Sequence, residues 1–228
     1  MYWNILFLAT ALSWAVPSLQ ETLSLADRLK EVTRVVERLQ TDSGNTLSIE
    51  WNEATATPRS LTGRLTKPSN HSPQWISIQF LKKVKALYGL KRVHEQITVT
   101  SIEHDRLDRT KVLLQRQLYG KPVCGDELTV EMDKLGVIVR VDGTVHSELE
   151  RKRLNRPMYP AITGSEAAEK AFRYTGSQYP ADKTRVHACY LPIREGIPLI
   201  YVVTFVSDQK GSPSRPVYVH SITGRIIE

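Results

Sequence analysis

Between Thr110 and Thr144 the chain reads TKVLLQRQLYGKPVCGDELTVEMDKLGVIVRVDGT, and apolar residues recur there at every second position. Over Glu127 to Asp133, Leu128, Val130 and Met132 fall on one side, and Glu127, Thr129, Glu131 and Asp133 on the other. A period of two belongs to a strand with one face on a core and one in water. Val137, Val139 and Val141 repeat it over 137–142, and Thr110 to Tyr119 is a third run, turned into the next by Gly120-Lys121-Pro122. Asp133-Lys134-Leu135-Gly136 supplies turn chemistry, and Gly136 can take positive φ. Asp142-Gly143 carries the signature of a two-residue hairpin. The expectation is an antiparallel meander burying Leu128, Val130, Val139 and Val141, and a meander with one apolar face needs a cover.

Two segments can supply that cover. Ser24 to Gln40 places Leu25, Leu29, Val32, Val36 and Leu39 on one helical stripe, and Ser24 with Asp27 approximates a capping box. The amphipathic helix is thus expected over 24–41. Ser72-Pro73 opens a second helix in the preferred order of N-cap and then proline. Its stripe is Ser77, Phe80, Leu81, Val84, Leu87 and Tyr88, closed by Gly89. This second helix is the expected cover. Between the helices, LSIEW and SLTGRLT read as two short strands around Thr57-Pro58.

Arg151 to Pro160, RKRLNRPMYP, breaks the pattern with basic residues and prolines and reads as a linker over 151–160. Beyond it the plan recurs. Thr163-Gly164-Ser165-Glu166 is a capping box for a short helix carrying Ala167, Ala168, Ala171 and Phe172 and ending near Gly176. Strands are expected at about 185–191, 199–207 and 215–220, and Thr223-Gly224 turns into Arg225-Ile226-Ile227. The expected class is α+β: two tandem helix-on-antiparallel-sheet modules preceded by an amphipathic helix, with domains at 46–150 and 161–228.

Trp3 to Pro17 is almost wholly apolar, yet shorter than the roughly 20 residues that span a bilayer. With Ser13-x-Ala15 offering small residues for cleavage, 1–18 is read as a signal peptide, an uncleaved anchor being the alternative. The two cysteines, Cys124 and Cys189, are too few for a disulfide framework or a four-cysteine zinc site. In an exported chain they could pair, linking two different domains; two part-buried thiols are the expectation.

No motif supplies a reaction centre. His94-Glu95 begins a zinc-binding helix motif, but Thr98 stands where the second histidine must be, and His104-Asp105 fails likewise. No phosphate-cradling glycine loop and no Gly-x-Ser-x-Gly elbow occurs. The net charge of +7 permits nucleic acid, but Phe80, Tyr88 and Tyr119 lie on stripes that read as buried, so the exposed aromatics of a nucleic-acid sheet are missing. The chain reads as non-catalytic, with no cofactor, no metal and no nucleic acid.

WNEATATPRSLTGRLT (Trp51 to Thr66), FLKKVKALYGL (Phe80 to Leu90) and LLQRQLYGKPVCGDELTVEMDKLGVIVRVDGTV (Leu113 to Val145) resemble, in order and spacing, the fungalysin/thermolysin propeptide (FTP) domain. Members of that family commonly carry an aromatic or aliphatic residue where Cys124 sits. Ile162 to Glu228 resembles a PepSY domain, including Val217-Tyr218-Val219 and Thr223-Gly224-Arg225. In thermolysin-type metalloproteases these two modules form the pro-region, which assists folding of the catalytic domain and holds it inactive. The resemblance therefore implies a secreted or cell-envelope protein that binds, inhibits or helps fold a secreted thermolysin-type metalloprotease. A pro-region piece of a protease precursor, or an envelope protein reusing the fold, are the other readings it allows. The protease would be met around Val217, Tyr218, Val219, Arg225, Ile226, Ile227 and Glu228.

Overall fold

A computed structural model describes residues 19–105, 109–152, 156–176, 184–205 and 215–227. The expected signal peptide therefore lies outside the described residues. Helix α1 (Leu19–Asp42) precedes the hairpin β1 (Ser48–Asn52) and β2 (Thr57–Thr62). Helix α2 (Pro73–Val84) runs into a 3-10 turn over Lys85–Tyr88, and one helical turn, α3 (Val93–Gln96), leads into β3 (Ile97–His104). Then come β4 (Thr110–Leu118), β5 (Lys121–Met132), β6 (Ile138–Thr144) and the turn α4 (Leu149–Lys152). The second part holds α5 (Gly164–Thr175) and strands β7 (Thr184–Tyr190), β8 (Leu199–Phe205), β9 (Val217–His220) and β10 (Ile226–Ile227). The fold is α+β, as expected.

Strands β1-β2-β6-β5-β4-β3 form one antiparallel sheet, and β7-β8-β9-β10 a second. They join through one parallel pair, Val123 with Tyr190. The first core forms where α2 lays Ile76, Phe80, Leu81 and Val84 on Val112, Leu114, Leu128, Val130 and Val141. Ser72 caps α2 by accepting the Trp75 N–H, and Gly89 closes the following turn in the left-handed region. The second core sets Ala167 and Ala171 of α5 on Val203, Phe205, Val217 and Val219. Thr163 and Glu166 make the capping box there, and the Thr163 N–H holds the Glu166 carboxyl below its ordinary range.

Four expectations need correction. α1 begins at Leu19 and passes through Ser24 without a break, so Ser24 is no cap. Of the stripe residues whose burial is described, Leu39 is buried, Val32 and Val36 are half-buried, and Leu29 is 58% exposed. Thr57-Pro58 lies inside β2, with the turn ahead of it. Val139 is not a core residue. The register slips between Glu131 and Met132, so that Met132 faces Ile138, and Ile138 takes the buried place. A bulge of this kind reverses the inward–outward parity of the strand beyond it.

The fourth correction concerns Asp142-Gly143, which lies within β6 and makes no hairpin. Gly143 stands opposite Leu128 at φ 141, and a Cβ there would lie 2.0 Å from the Glu127 carbonyl oxygen. The glycine is required by this close approach of β5, not by a turn. Gly125, at φ 74 with open space around it, isolates the backbone cost alone. Gly143→Ala is expected to lower stability by about 2–3 kcal/mol and Gly125→Ala by about 1 kcal/mol. Equal shifts in denaturant midpoint would show that the approach to Glu127 is not what demands the glycine.

Candidate functional site

The unusual chemistry gathers where the two sheets meet. On β4 the even positions Val112, Leu114, Arg116 and Leu118 face inward, and on β5 so do Asp126, Leu128, Val130 and Met132. Arg116 and Asp126 thus occupy apolar places, and both are fully buried. Their side chains form an ion pair at 3.5 Å, and Arg116 Nη1 donates to the His146 carbonyl at 2.6 Å. Asp126 also accepts the His146 N–H at 3.1 Å and pairs with His146 Nδ1 at 2.5 Å. The register slips between Gln115 and Gln117, where Arg116 alone stands against Val123 to Asp126, so the bulge belongs to β5. Gln115 spans that bulge, its amide donating to the carbonyls of Val123 and Asp126. Buried charge of this kind persists only when paired and hydrogen-bonded.

His146 is a quarter exposed and reaches a cavity of about 260 Å³ lined by Thr55, Ala56, Ser147, Leu149 and, from the second part, Pro192. Thr55 and Thr57 share a hydroxyl bond at 2.8 Å, and Thr57 donates to the Val145 carbonyl. Ser147 donates to the Thr55 carbonyl at 2.9 Å, so this hydroxyl is committed to structure. Nearby in the first core, burial pushes the Tyr88 phenol well above its ordinary range, and the Asp142 carboxylate adds to the shift. Among the described residues no cluster of three or more His, Cys, Asp or Glu could hold a metal. The arrangement binds strands together; it presents no activated nucleophile.

The junction has its own small core of Leu118, Val123, Leu149, Tyr190, Ile197 and Leu199. The Tyr190 hydroxyl accepts the Met158 N–H at 3.1 Å. Burial raises the Tyr190 phenol, and that bond pulls part of the shift back. Beside the Val123–Tyr190 pair, Cys124 and Cys189 form a disulfide, with Cα atoms 5.3 Å apart. This overturns the expectation of two part-buried thiols. The parallel neighbourhood of β5 and β7, 65 positions apart in sequence at the bridge, is a tertiary fact that neither local stretch announces.

The anticipated protease-contact residues divide by strand parity. Val217 and Val219 are buried beneath α5, and Ile226 packs with them. Tyr218 and Ile227 point to the opposite side, where with Cys124 they cover Cys189, Leu191, Ile200 and Val202. Register places His187, Val202, Tyr218 and Ile227 in one row across the second sheet. Arg225 is exposed beside it, and Glu228 lies outside the described residues. The structure thus separates the six described candidates into a supporting layer and a presented one.

Comparison with known proteins adds a partial likeness. No protein-family profile matches the chain. Over 115 residues, 49% of its length, it is 28% identical to bacillolysin of Bacillus cereus, a thermolysin-type protease. The chain spans only 20% of that protein. Among solved structures it is similar to the YpeB C-terminal domain of Bacillus megaterium, with a TM-score of 0.40 and 13% identity over 86% of this chain and 94% of that one. That likeness is too loose to carry over any property.

Proposed function

We propose that the chain is a non-catalytic, propeptide-like protein, exported through its leader, that binds a secreted thermolysin-type metalloprotease and inhibits it or assists its folding. The observation that carries this reading is the partial identity to bacillolysin, confined to a fifth of that protein's length. The FTP-like and PepSY-like wording of 46–150 and 161–228 supports the same reading and the same division into two domains joined by 151–160.

The contact surface we assign is the presented row of the second sheet, Tyr218 and Ile227 with Arg225 at its rim. Binding would rest on shape and burial, since among the described residues no cluster of His, Cys, Asp or Glu could hold a metal. A pro-region covalently joined to its protease gains from a high effective concentration; a titration in trans measures the affinity of the surface without that gain. Titrating it against a secreted thermolysin-type protease should give a complex at micromolar concentration or below. Tyr218→Ala with Arg225→Glu should weaken that complex at least tenfold, leaving the fold intact, because Val217 and Val219 still hold β9 in place. No complex with well-folded protein overturns the reading, and a complex indifferent to the double substitution moves the contact surface elsewhere.

A further inference from the structure

We propose that the Cys124–Cys189 bridge is a redox latch: oxidised, it holds β7–β10 against β5 and completes the Tyr218–Ile227 face, and reduced, it lets the second sheet swing away. The strand contact it reinforces is minimal. One residue pair, Val123 with Tyr190, joins the two sheets, and the cysteines are the immediate neighbours of that pair. Such a join is far weaker than the seven-pair ladder between β7 and β8.

Backbone strain also gathers around the join. Among the described residues, four non-glycine residues have positive φ, and three surround this junction: Ala56 at 50°, Tyr119 at 51° and Ile197 at 46°. Ile197 is buried in the junction core, Tyr119 packs against it, and Ala56 lines the cavity shared with His146 and Pro192. None is a glycine, asparagine or aspartate, the residues that take this conformation most readily. Each sits in a tight turn, Tyr119 in the two-residue turn between β4 and β5, so three turns of fixed geometry meet at the join. The apolar cluster of Leu118, Leu149, Tyr190 and Leu199 resists opening, so the bridge decides between two compact arrangements rather than between folded and unfolded.

Access makes the bond addressable from one side. Cys189 is 1% exposed, whereas Cys124 is part-exposed. A dithiol reductant would attack Cys124 Sγ as a thiolate, forming a mixed disulfide while Cys189 leaves as thiolate and takes up a proton. Its second thiol then displaces Cys124, which is protonated in turn, and the reductant departs as its own cyclic disulfide. Two electrons and two protons pass to the protein. Because Cys124, Tyr218 and Ile227 all pack against the one cluster of Cys189, Leu191, Ile200 and Val202, release of the bridge removes support from the presented row. This last step rests on the function proposed above; the latch itself does not.

Amide hydrogen exchange on the full chain tests it in three forms: oxidised, treated with a dithiol and capped with iodoacetamide, and the Cys124→Ser/Cys189→Ser variant, which excludes the bulk of the cap. Exchange over 184–190 and 217–227 should rise at least tenfold in both unbridged forms, while 110–118 stays as in the oxidised protein. Equal rates in all three forms overturn the latch, as does a bridge that the dithiol reduces only in denaturant. Protease binding is measured in parallel. Binding by the oxidised form alone ties the latch to the face, and equal binding by both forms overturns that tie. Faster exchange on reduction with no binding by either form upholds the latch and refutes the proposed function instead.

Discussion

Replacing Arg116 by methionine will cost about 3–5 kcal/mol of stability, the range found when a buried charge loses its partner. Asp126 is fully buried, and without the guanidinium its carboxylate keeps only the backbone and ring contacts of His146. The His146 carbonyl loses its donor at the same time. A second substitution, Asp126→Asn, removes the stranded charge, so Arg116→Met/Asp126→Asn should be less damaged than the sum of the two single variants. A coupling of about 1–3 kcal/mol in the double-mutant cycle is the expected reading from denaturant unfolding. A loss under about 1 kcal/mol for Arg116→Met, or strictly additive losses, would mean that the two groups do not act as a buried pair.

Val130→Asp is expected to be as severe or worse, at several kcal/mol, because the new carboxylate would be buried among apolar side chains. Val130 is 0% exposed and lies between Val112 on β4 and Val141 on β6, both also 0% exposed, beneath α2. The choice of control matters. Glu131 points outward, but it faces Lys111 across the strands and pairs with it at 3.0 Å with its own side chain only 18% exposed. Glu127 is outward and exposed, so Glu127→Asp is the proper neutral comparison, expected within about 0.5 kcal/mol. Similar melting temperatures for Val130→Asp and Glu127→Asp would show that the inward face of β5 has been assigned wrongly.

Both variants bear on what a sequence reader can see. Parity alone put Leu128, Val130 and Met132 in the core, since each strand's neighbours enforce the period that the residues display. The caps at Ser72 and Thr163 were equally legible, because a cap is settled within four residues. Val139 was not, because the slip beside Met132 depends on how two strands pair. Asp142-Gly143 misled for the same reason: glycine answers both to a tight turn and to a crowding neighbour, and the neighbour is Glu127 on another strand. Arg116 and Asp126 could have been found. They sit at even positions among apolar residues, and a charge in a core-facing slot on each of two adjacent strands is a signal for a buried pair. Tyr218 and Ile227 could be parted from Val217, Val219 and Ile226 by alternation, but which side α5 covers took the fold to decide. The disulfide was beyond local inspection, because its two strands belong to different sheets.

The place of β2 beside β6 governs the order in which the chain can assemble. Ser60 bonds to Asp142, 82 positions away, whereas β4, β5 and β6 succeed one another through short turns. Closing a long loop costs chain entropy before any contact offsets it, so nearby pairings form sooner. The meander can zip up by itself; the β1–β2 hairpin has nothing to lie against until β6 exists. During synthesis α1, β1, β2 and α2 all emerge before the strands that will bury them. Their apolar stripes are then left to solvent or to whatever escort meets the nascent chain, and the first sheet is built outward from its middle.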